Sequence, residues 1–537
     1  AYLLIMRIIR TSENVFMIKY PRGIIKMISK YSDITYKYKE TIKLTENELK
    51  ACSMLYSNHY GVYTQDSPVR PGEQVHFPVS MYKEHYQKNN FYVAMAYDKT
   101  KLVAHAFYIR KSIARNKEIY FIFQLVVDEE YRGQGIATNL MRSIWSFSNC
   151  YAWGLITPNI RTVKTLESAT FRKCIPSIIH KHIKDIKKIT NELFFIDNTK
   201  INVSSKHSVV DTSFYVERKL DPQKDYENWT LGDLPLGYEW LAFTFREQDM
   251  DIEKYKLAFQ TIIEFSEEKL KIAYGRMRKK TQNWIKGHVQ ECNYIQEKLG
   301  IDQPINIIDI GCGIGRHAIE FAQKGHYITA IDFAKQNITY ARKAKQKANV
   351  KNINFYKSDI RKFKSIKKYD LALCLYDVIG SFPKENDNIA IIKKAYTLLK
   401  KGGYFVLSVM NFELTEYIVP DDKKVNLPEH PEVLMKLEPS KDMMITGNIF
   451  NPKYLIIDTS SNLVYRKEQF TSYRNYYLPA EYVIRDKRYS MYEITRLVEE
   501  QGFNVIEKRY VQAGRFDIPL DKTSKSAKEI LIICQKA

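Results

Sequence analysis

The sequence predicts a multidomain α/β protein, with a mixed α+β domain in its first half and a doubly wound parallel sheet in its second half. Three observations lead to this fold class. The chain has 537 residues, more than one hydrophobic core ordinarily holds. Strands and helices alternate strictly from residue 305 onwards. A glycine-rich turn between a strand and a helix occurs twice, in 129–141 and in 308–321.

The composition is that of a charged chain without a membrane span. The formal net charge of +22 is spread over both halves, and no Lys/Arg block is long and unbroken, so a nucleic-acid partner stays open but is not favoured. Seven cysteines without a CxxC pair predict neither a disulfide framework nor a metal site, and favour a reducing cytoplasm. We expect no membrane span and no signal peptide, because no apolar run reaches the necessary length.

The first half reads as an extension, a domain and a linker. Residues 1–40 show no clear domain signal and are assigned to an N-terminal extension. Two β-rich runs turn at Asp98-Lys99-Thr100, which predicts a hairpin, and "EIYFIFQLVV" predicts the strand before the first glycine turn. Strand, turn and helix in this order offer backbone N–H groups and a helix dipole to an anion. A polar stretch with Pro and Gly predicts a linker at 217–240.

Residues 41–216 resemble the GNAT acyltransferase family. The turn from Arg132 to Ala137 fits the family signature R/Q-x-x-G-x-G/A, and "PNIRTVKTLESATF" resembles a later helix of the family. The resemblance implies a splayed strand pair that binds acetyl-CoA, with the pyrophosphate on the turn and the pantetheine arm along the strand. The cofactor-binding residues that it implies are Leu125, Val127, Arg132, Gly133, Gln134, Gly135, Ile136, Ala137 and Asn159.

The sequence departs from the family in that later helix. Many members have a Tyr seven residues after the Asn, where it protonates the leaving thiolate, whereas this chain has Leu166, and Thr170 replaces a usual Gly. Either another acid, such as Tyr131 or solvent, protonates the thiolate, or the domain binds CoA without turnover. Glu129 is a candidate base, although an acidic residue beside a surface loop is more often solvated. Glu129 and Tyr131 are therefore the catalytic candidates of this half.

The second half begins with a segment at 241–300 that is predicted to be helical. The runs "INIIDIG", "YITAID", "INFYKSD", "YDLALCLYD" and "YFVLSVMN" then predict the strands of a parallel sheet. The second turn has the pattern D-x-G-x-G-x-G at 309–315, and Asp332 ends the next strand, where an acidic residue suits the hydroxyls of a ribose. A dinucleotide-binding fold would show the same features, so this turn alone leaves the cofactor open.

Residues 301–537 resemble class I S-adenosylmethionine-dependent methyltransferases at several ordered motifs. "DIGCGIG" resembles their first motif, "KSDI" their adenine contact, "LALCLYDVIGSF" their fourth motif and "LLKKGGYFVLSV" their fifth strand. The resemblance implies a Rossmann-like domain with an inserted antiparallel β lid at 411–480, in which a hairpin turns at Ser460-Ser461-Asn462, and it implies that 241–300 closes the site. The cofactor-binding residues that it implies are Asp309, Gly311, Cys312, Gly313, Gly315, Asp332, Phe333, Asp359, Ile360, Leu375, Tyr274 and Arg276.

The two turns are therefore expected to have different tasks. The first can hold a pyrophosphate, whereas S-adenosylmethionine has no phosphate, so the glycines of the second turn let the backbone lie close to the methionine moiety. Tyr376 and Asp377 lie at the mouth of the methyl-transfer site by analogy. Asp377 orients an amine, acts as a base or caps a helix. The NPPY and Pro-Cys patterns of DNA methylation are absent, which disfavours those routes.

These observations predict a bifunctional cytoplasmic transferase that places acetyl and methyl groups on a small amine- or hydroxyl-bearing molecule. The predicted cofactors are S-adenosylmethionine and acetyl-CoA. The alternative is a methyltransferase of RNA or protein, in which the GNAT-like half is a non-catalytic CoA-binding or recognition module. The sequence leaves the acceptor and the oligomeric state open.

Overall fold

In the computed structural model the chain divides into two units, Ala1–Ala258 and Phe259–Ala537, which are treated separately below. The structure describes residues 34–114, 117–145, 150–218, 220, 229–274, 287–440, 449–468 and 482–537. It also describes the backbone of strands at 7–12, 15–19 and 25–29, and in 267–274 it describes the backbone alone.

The first unit is built on an eight-stranded sheet. The strands of this unit are β1 (Arg7–Ser12), β2 (Val15–Lys19), β3 (Ile25–Ser29), β4 (Ile34–Glu40), β5 (Phe91–Asp98), β6 (Lys101–Ala114), β7 (Lys117–Val127), β8 (Ala152–Thr157), β9 (Ile201–Val203), β10 (Ser208–Asp211) and β11 (Tyr238–Phe245). The main sheet has the order β4-β5-β6-β7-β8-β11-β10-β9, and β1, β2 and β3 form a separate antiparallel sheet. In the main sheet β7 and β8 run parallel, whereas the other neighbours are antiparallel.

Helices cover the main sheet and bury its apolar side chains. They are α1 (Glu46–His59), α2 (Ile136–Trp145), α3 (Ile160–Thr170), α4 (Pro176–Lys181) and α5 (Ile183–Thr190), and short helical turns lie at Val79–Met81 and Tyr82–Tyr86. Helix α1 begins at a capping box, in which Thr45 and Glu48 satisfy each other's backbone N–H groups. The predicted hairpin is confirmed, since β5 and β6 pair antiparallel down to Asp98 and Lys101.

Two predicted boundaries of the first domain are corrected by the sheet. Strand β4 lies in the predicted extension 1–40, yet it pairs with β5 along its whole length. Strand β11 runs from the predicted linker 217–240 into the predicted helical segment 241–300, yet it pairs with β8. The run "YEWLAFTF" forms a strand because β8 and β10 flank it and seven of its eight positions are buried, beginning with Glu239. Helices occupy the later part of that segment, at α6 (Ile252–Tyr274) and α7 (His288–Lys298).

The second unit contains the predicted doubly wound sheet. Its strands are β12 (Asn306–Ile310), β13 (Tyr327–Asp332), β14 (Ile353–Lys357), β15 (Tyr369–Cys374), β16 (Leu399–Met410), β17 (Lys424–Val425), β18 (Leu455–Asp458), β19 (Leu463–Glu468), β20 (Tyr482–Asp486), β21 (Phe503–Gln512), β22 (Arg515–Leu520) and β23 (Glu529–Lys536). The main sheet has the order β14-β13-β12-β15-β16-β23-β21-β22. Strands β12 to β16 are parallel, and β23 runs antiparallel to both β16 and β21.

Buried apolar side chains of this sheet contribute to two hydrophobic clusters. The helices of the second unit, besides α7, are α8 (Arg316–Gln323), α9 (Lys335–Ala348), α10 (Glu385–Leu398), α11 (Phe412–Ile418), α12 (Pro431–Lys436) and α13 (Met491–Glu499). The central strands β12, β13 and β15 are buried on both faces, which is why they read as nearly continuous apolar runs in the sequence. Because β12, β13, β14 and β15 are parallel, their carboxyl ends lie on the same side of the sheet. Ligands of such sheets bind beside these carboxyl ends.

The inserted lid is a four-stranded sheet with the order β17-β18-β19-β20. The predicted hairpin is confirmed, because β18 and β19 pair antiparallel and turn at 459–462. Asp458 holds the turn by accepting hydrogen bonds from the Ser460 N–H at 3.2 Å and the Leu427 N–H at 3.0 Å. The prediction of a purely antiparallel lid ending at 480 is wrong in two details, since β17 runs parallel to β18 and β20 lies beyond 480.

Among the described residues no helix is both long and apolar enough to cross a membrane. All seven cysteines are free thiols with buried side chains.

Candidate cofactor-binding sites

The second glycine turn joins β12 to α8. Gly311, Gly313 and Gly315 have φ values of 72°, 55° and 82°, a backbone conformation that favours glycine. A Cβ on Gly311 would stand 2.4 Å from Val378, and one on Gly315 would stand 2.7 Å from Phe355. A Cβ on Gly313 would meet nothing within 4 Å. A side chain at Gly311 or Gly315 would therefore clash with its neighbours, whereas the backbone at Gly313 has open space beside it.

Asp309 is the second-last residue of β12, beside this turn, and is 4% exposed. Its Oδ2 has no hydrogen-bond partner among the described residues. Burial raises the pKa of Asp309 to about 7, an effect that the charge of Asp332 reinforces and that of Arg316 opposes. A buried carboxylate oxygen without a donor favours a cationic ligand, because such a ligand would compensate its lost hydration. The ammonium group of S-adenosylmethionine fits this requirement.

Asp332 ends β13 and holds the turn in place. Its Oδ2 accepts the Gly313 N–H at 2.9 Å, and its Oδ1 accepts hydrogen bonds from the Ala334 N–H at 2.8 Å and the Asn337 amide at 3.1 Å. Phe333 follows, with its ring 60% exposed and available as an apolar surface. The contact of Asp332 with a ribose stays a prediction, while its bond to Gly313 is a structural role that the motif did not predict.

Most of the other predicted cofactor-binding residues of the second domain follow the carboxyl ends of the parallel strands. The rest lie outside the described residues. Asp359 follows β14, and Arg361 forms a bidentate ion pair with it that lowers its pKa. Its predicted adenine contact stays a prediction. Cys312, Ile360 and Leu375 are buried. Arg276 and the side chain of Tyr274 lie outside the described residues.

Tyr376 follows β15 with a strained backbone. Its φ is 67°, its N–H donates to the Ser408 hydroxyl at 2.5 Å, and its own hydroxyl donates to Glu291. The Arg316 guanidinium lies over its ring, 4.3 Å from the centroid. These contacts direct the Tyr376 side chain inward, so the structure supports a positioning role for it. Its predicted catalytic role stays a prediction.

Glu291 of α7 is the centre of this network. Its carboxylate also accepts hydrogen bonds from His317 Nε2 at 2.6 Å and the Gly514 N–H at 2.6 Å, and the side chain is fully buried. Burial alone would raise the pKa of Glu291, but His317 and Arg316 outweigh it and lower the pKa. Burial lowers the pKa of His317 to about 4, so a neutral imidazole donates to an ionised carboxylate.

Asp377 is placed where the lid meets the sheet. Its neighbour along the turn, Gly380, accepts a hydrogen bond from the Lys487 N–H at 2.8 Å, which ties the end of β20 to this turn. Burial raises the pKa of Glu529 to about 8 and that of Glu468 to about 7, and the charge of Asp377 adds to both effects. Asp377 itself is exposed, and its catalytic role stays a prediction.

The first glycine turn joins β7 to α2 through a short helical turn at Glu129–Tyr131. Gly133 and Gly135 have φ values of 74° and 75°, and a Cβ on either would meet nothing within 4 Å. Arg132 braces the turn through bonds from its guanidinium to the Val127 carbonyl at 3.1 Å and to the His59 carbonyl. The N–H groups at the start of α2 have no intrahelical acceptor, so they can bind an anion.

Strands β7 and β8 diverge beside this turn. Their parallel pairing runs from Ile119 to Ile122 on β7, whereas the pairing of β7 with β6 continues to Val127. The backbone that includes Leu125 and Val127 therefore leaves β8, as the resemblance implied. A pantetheine arm requires such a free strand edge, because it binds through main-chain hydrogen bonds.

The catalytic candidates of the first half have other contacts. Tyr131 is buried and donates its hydroxyl to Asp98 at 2.9 Å, whereas the Glu129 carboxylate pairs with Arg132 at 3.0 Å. Asn159 caps α3 by accepting the Arg161 N–H at 2.9 Å. Leu166, which replaces the family's Tyr, is fully buried in the core. Roles in catalysis for Glu129 and Tyr131, and in cofactor binding for Asn159, stay predictions.

Four buried polar residues in the two domains could not be recognised from the motifs, and these are Glu291, His317, Glu529 and Glu239. One signal was available for Glu291, because it lies beside Cys292 and one turn before Ile295 on the buried face of α7. A glutamate on an apolar helix face indicates a paired carboxylate. The other three gave no local signal.

Fold and sites together define two group-transfer domains in one chain. A family model described as "Acetyltransferase (GNAT) family" matches residues 59–151, and one described as "Methyltransferase domain" matches residues 301–473. The chain thus contains a GNAT acetyltransferase domain and a methyltransferase domain of Rossmann-like fold.

Individual proteins that are similar to this chain include methyltransferases. A ubiquinone biosynthesis O-methyltransferase of Acinetobacter baumannii is 27% identical over 128 residues, 24% of this chain and 52% of that protein. Its counterpart in Rickettsia bellii is 28% identical over 131 residues, again 24% and 52%. The chain spans about half the length of these curated relatives. A solved S-adenosylmethionine-dependent methyltransferase from Clostridium acetobutylicum is 14% identical, with 46% of this chain and 90% of that one covered and a TM-score of 0.32.

Proposed function

We propose that the chain is a bifunctional transferase. Its second domain would transfer a methyl group from S-adenosylmethionine and its first an acetyl group from acetyl-CoA, both to a small amine- or hydroxyl-bearing molecule. The observation that carries this proposal is that two glycine turns have open space beside them, at Gly135 and Gly313, and differ in the pairing of the nearest carboxylate. Asp128 pairs with Lys101 before the first turn, whereas Asp309 Oδ2 before the second has no hydrogen-bond partner among the described residues. The seven buried free thiols support a reducing cytoplasm as its location.

In the second domain the residues would bind and align. S-adenosylmethionine supplies an electrophilic methyl group on a sulfonium. Asp309 would pair with the ammonium group of its methionine moiety, and Gly313 would let the backbone approach it. Asp377 would face the acceptor from the turn that Tyr376 and Glu291 hold in position. Most of the rate enhancement in such a site comes from alignment.

In the first domain the residues would hold the acyl donor. Acetyl-CoA supplies a thioester whose carbonyl carbon an acceptor attacks. The N–H groups after Gly133 would bind the pyrophosphate, and the free edge of β7 at Leu125 and Val127 would bind the pantetheine arm. Bound in this way, the thioester would lie near the gap between β7 and β8, and the acceptor would enter from that gap.

The test is calorimetric titration of the full chain with each cofactor, repeated on Gly135→Trp and Gly313→Trp. Each indole would occupy the open space beside its own turn, so each variant should lose binding of its own cofactor at least 100-fold and retain the other. Gly325→Trp is the matched control, because Gly325 also has a positive φ, 95°, and nothing within 4 Å. It should bind both cofactors as the parent does.

The outcomes separate the proposal from its alternative. If the parent chain binds S-adenosylmethionine but not acetyl-CoA, the first domain is a recognition module, and the chain would modify RNA or protein, which the net charge of +22 would suit. If it binds neither cofactor, the proposal fails entirely.

A further inference from the structure

Half of the net charge of the chain lies in a short part of the second domain. The segment 335–368 has 34 residues, of which twelve are Lys or Arg and one, Asp359, is acidic. Its net charge is therefore +11, out of +22 for the whole chain. Because other residues separate these charges along the chain, the sequence contains no long basic block here. Whether they form one surface depends on the fold.

The fold gathers this charge around β14, the edge strand of the main sheet. Helix α9 covers one face of β14, because Phe355 and Ala341 pack in the same hydrophobic cluster. Tyr356 points to the other face, since successive side chains of a strand alternate, and its ring lies 5.9 Å from that of Phe363. The segment 360–368 therefore follows the face opposite α9, and the charges of both elements flank the same edge.

All of the twelve basic side chains except Lys345 and Arg361 are exposed. We call these ten exposed Lys and Arg residues of 335–368 the basic edge. Arg361 pairs with Asp359 and Asp387, whereas none of the ten has a carboxylate partner in the part of the chain that the structure describes. Like charges held at one edge repel one another, so an anionic partner would lower the electrostatic free energy of this surface.

The backbone of β14 is partly closed to the addition of another protein strand. Arg342 donates to the Phe355 carbonyl at 2.9 Å, and Lys345 donates to the Ile353 carbonyl at 2.6 Å. An added strand would need such carbonyls as acceptors. The basic edge therefore favours a partner that binds through its own negative charges.

Exposed aromatic rings lie among these charges. Tyr340 and Tyr356 are 49% and 45% exposed. Tyr340 lies on one face of α9 with Lys343 and Lys347, which follow it by three and seven residues. Cations that bind phosphates, interleaved with rings on which unpaired bases stack, are typical of surfaces that bind single strands. An acidic protein or an anionic lipid would use the charges without using the rings in this way.

We propose that the basic edge, with Tyr340 and Tyr356, binds single-stranded nucleic acid. The phosphates would pair with the Lys and Arg side chains, and unpaired bases would stack on the two rings. Helix α9 has 14 residues and is about 21 Å long, which is enough to follow several phosphates of an extended strand. The interaction goes beyond the proposed transfer reactions and uses none of the residues assigned to either cofactor.

The test is binding of the full chain to fluorescent oligonucleotides of about 20 nucleotides, oligo(U) and oligo(dT), measured by anisotropy at several salt concentrations. The logarithm of the association constant should fall against the logarithm of the salt concentration with a slope of about −4, as expected for roughly six phosphates. A triple variant, Lys347→Gln with Lys351→Gln and Lys364→Gln, should lose at least tenfold in affinity and flatten the slope by about 2.

The matched control removes the same charge elsewhere in the second domain. Lys436→Gln with Lys508→Gln and Lys525→Gln changes three exposed lysines outside the basic edge. This variant has the same net charge as the first and should bind as the parent does. Thermal unfolding of both variants checks that they fold like the parent, as expected for exposed substitutions.

A single substitution tests the stacking. Tyr340→Ala should weaken binding of the single strands at least fivefold and leave the salt slope unchanged, because it removes a ring and no charge. Binding of a duplex of the same length should not change, since its bases are already stacked. Tyr492→Ala, which removes a ring that is 72% exposed outside the basic edge, should have no effect.

Three outcomes would overturn the inference. The parent chain does not bind the oligonucleotides at about 50 mM salt, the two triple variants bind them equally well, or the parent binds vesicles containing phosphatidylserine and no oligonucleotide. The last outcome would assign the basic edge to an anionic membrane surface. None of these outcomes bears on the binding of S-adenosylmethionine or acetyl-CoA, which the calorimetric titrations measure separately.

Discussion

The two glycine turns share a backbone conformation and differ in the carboxylate beside them. Before the first turn, Asp128 pairs with Lys101 at 2.9 Å. Burial alone would raise the pKa of Asp128, but Lys101 and the Glu130 N–H outweigh it and lower the pKa. Before the second turn, burial raises the pKa of Asp309 to about 7. This difference indicates that the glycines determine the backbone conformation of such a turn. The pairing of the nearest carboxylate determines whether the turn favours a cationic or an anionic ligand.

The largest effect that this comparison predicts is on stability against pH. A folded pKa of about 7 for Asp309, above its unfolded value, means that stability falls as pH rises from about 4 to 7. Asp309→Asn should therefore stabilise the chain at pH 8 by on the order of 4 kcal/mol and leave it nearly unchanged at pH 4. The measurement is the free energy of unfolding in denaturant at both pH values.

Asp128→Asn is the opposing control for that prediction. The lowered pKa of Asp128 contributes stability that is present above its unfolded pKa and is lost as pH falls through the folded value. This variant should therefore destabilise the chain at pH 8. Equal signs for the two variants would contradict the comparison.

The next effect concerns the network that braces the second site. Glu291→Ala would leave the Tyr376 hydroxyl, the His317 imidazole and the Gly514 N–H without their buried acceptor. We expect a loss of about 3 kcal/mol in the free energy of unfolding. Glu291→Gln keeps one acceptor oxygen and should lose less. A Glu291→Ala variant of parental stability would show that the network does not brace the site.

A smaller effect is expected on cofactor affinity. Asp309→Asn removes the negative charge that would pair with the ammonium group of S-adenosylmethionine, so the dissociation constant should rise about tenfold, or about 1.4 kcal/mol. Binding of acetyl-CoA to the same variant should not change. Calorimetry with both cofactors checks this, and unchanged affinity for S-adenosylmethionine would remove Asp309 from the site.

The smallest effect is the salt dependence of binding. Acetyl-CoA carries phosphates, so its affinity should fall several-fold between about 50 and 300 mM salt, as exposed charge interactions are screened. In the proposed site S-adenosylmethionine would have a buried partner in Asp309, so its affinity should stay within about twofold. Parallel titrations at both ionic strengths measure the difference. Equal salt dependence would show that the turns do not differ electrostatically.

Much of the fold could be predicted because its signals are local. The hairpin at Asp98-Lys99-Thr100 and the turn in the lid depend on residues adjacent in sequence, and the structure has both. The membership of β11 could not be predicted, because "YEWLAFTF" has no local feature that selects β8 as its partner over a strand of the second domain. The predicted boundary between the linker and the helical segment, at 240/241, falls inside β11 for this reason.

By itself, the sequence determined the two glycine turns and the strand and helix that flank each of them. Their conformations depend on glycines at positive φ and on periodic apolar residues, both of which act over a few neighbouring positions. Only the tertiary structure decided the charge at each site. It brought Lys101 to Asp128 and left Asp309 Oδ2 without a hydrogen-bond donor among the described residues. Burial and ion pairing depend on residues that tertiary packing brings together, and they shift the pKa of a carboxylate from its ordinary value.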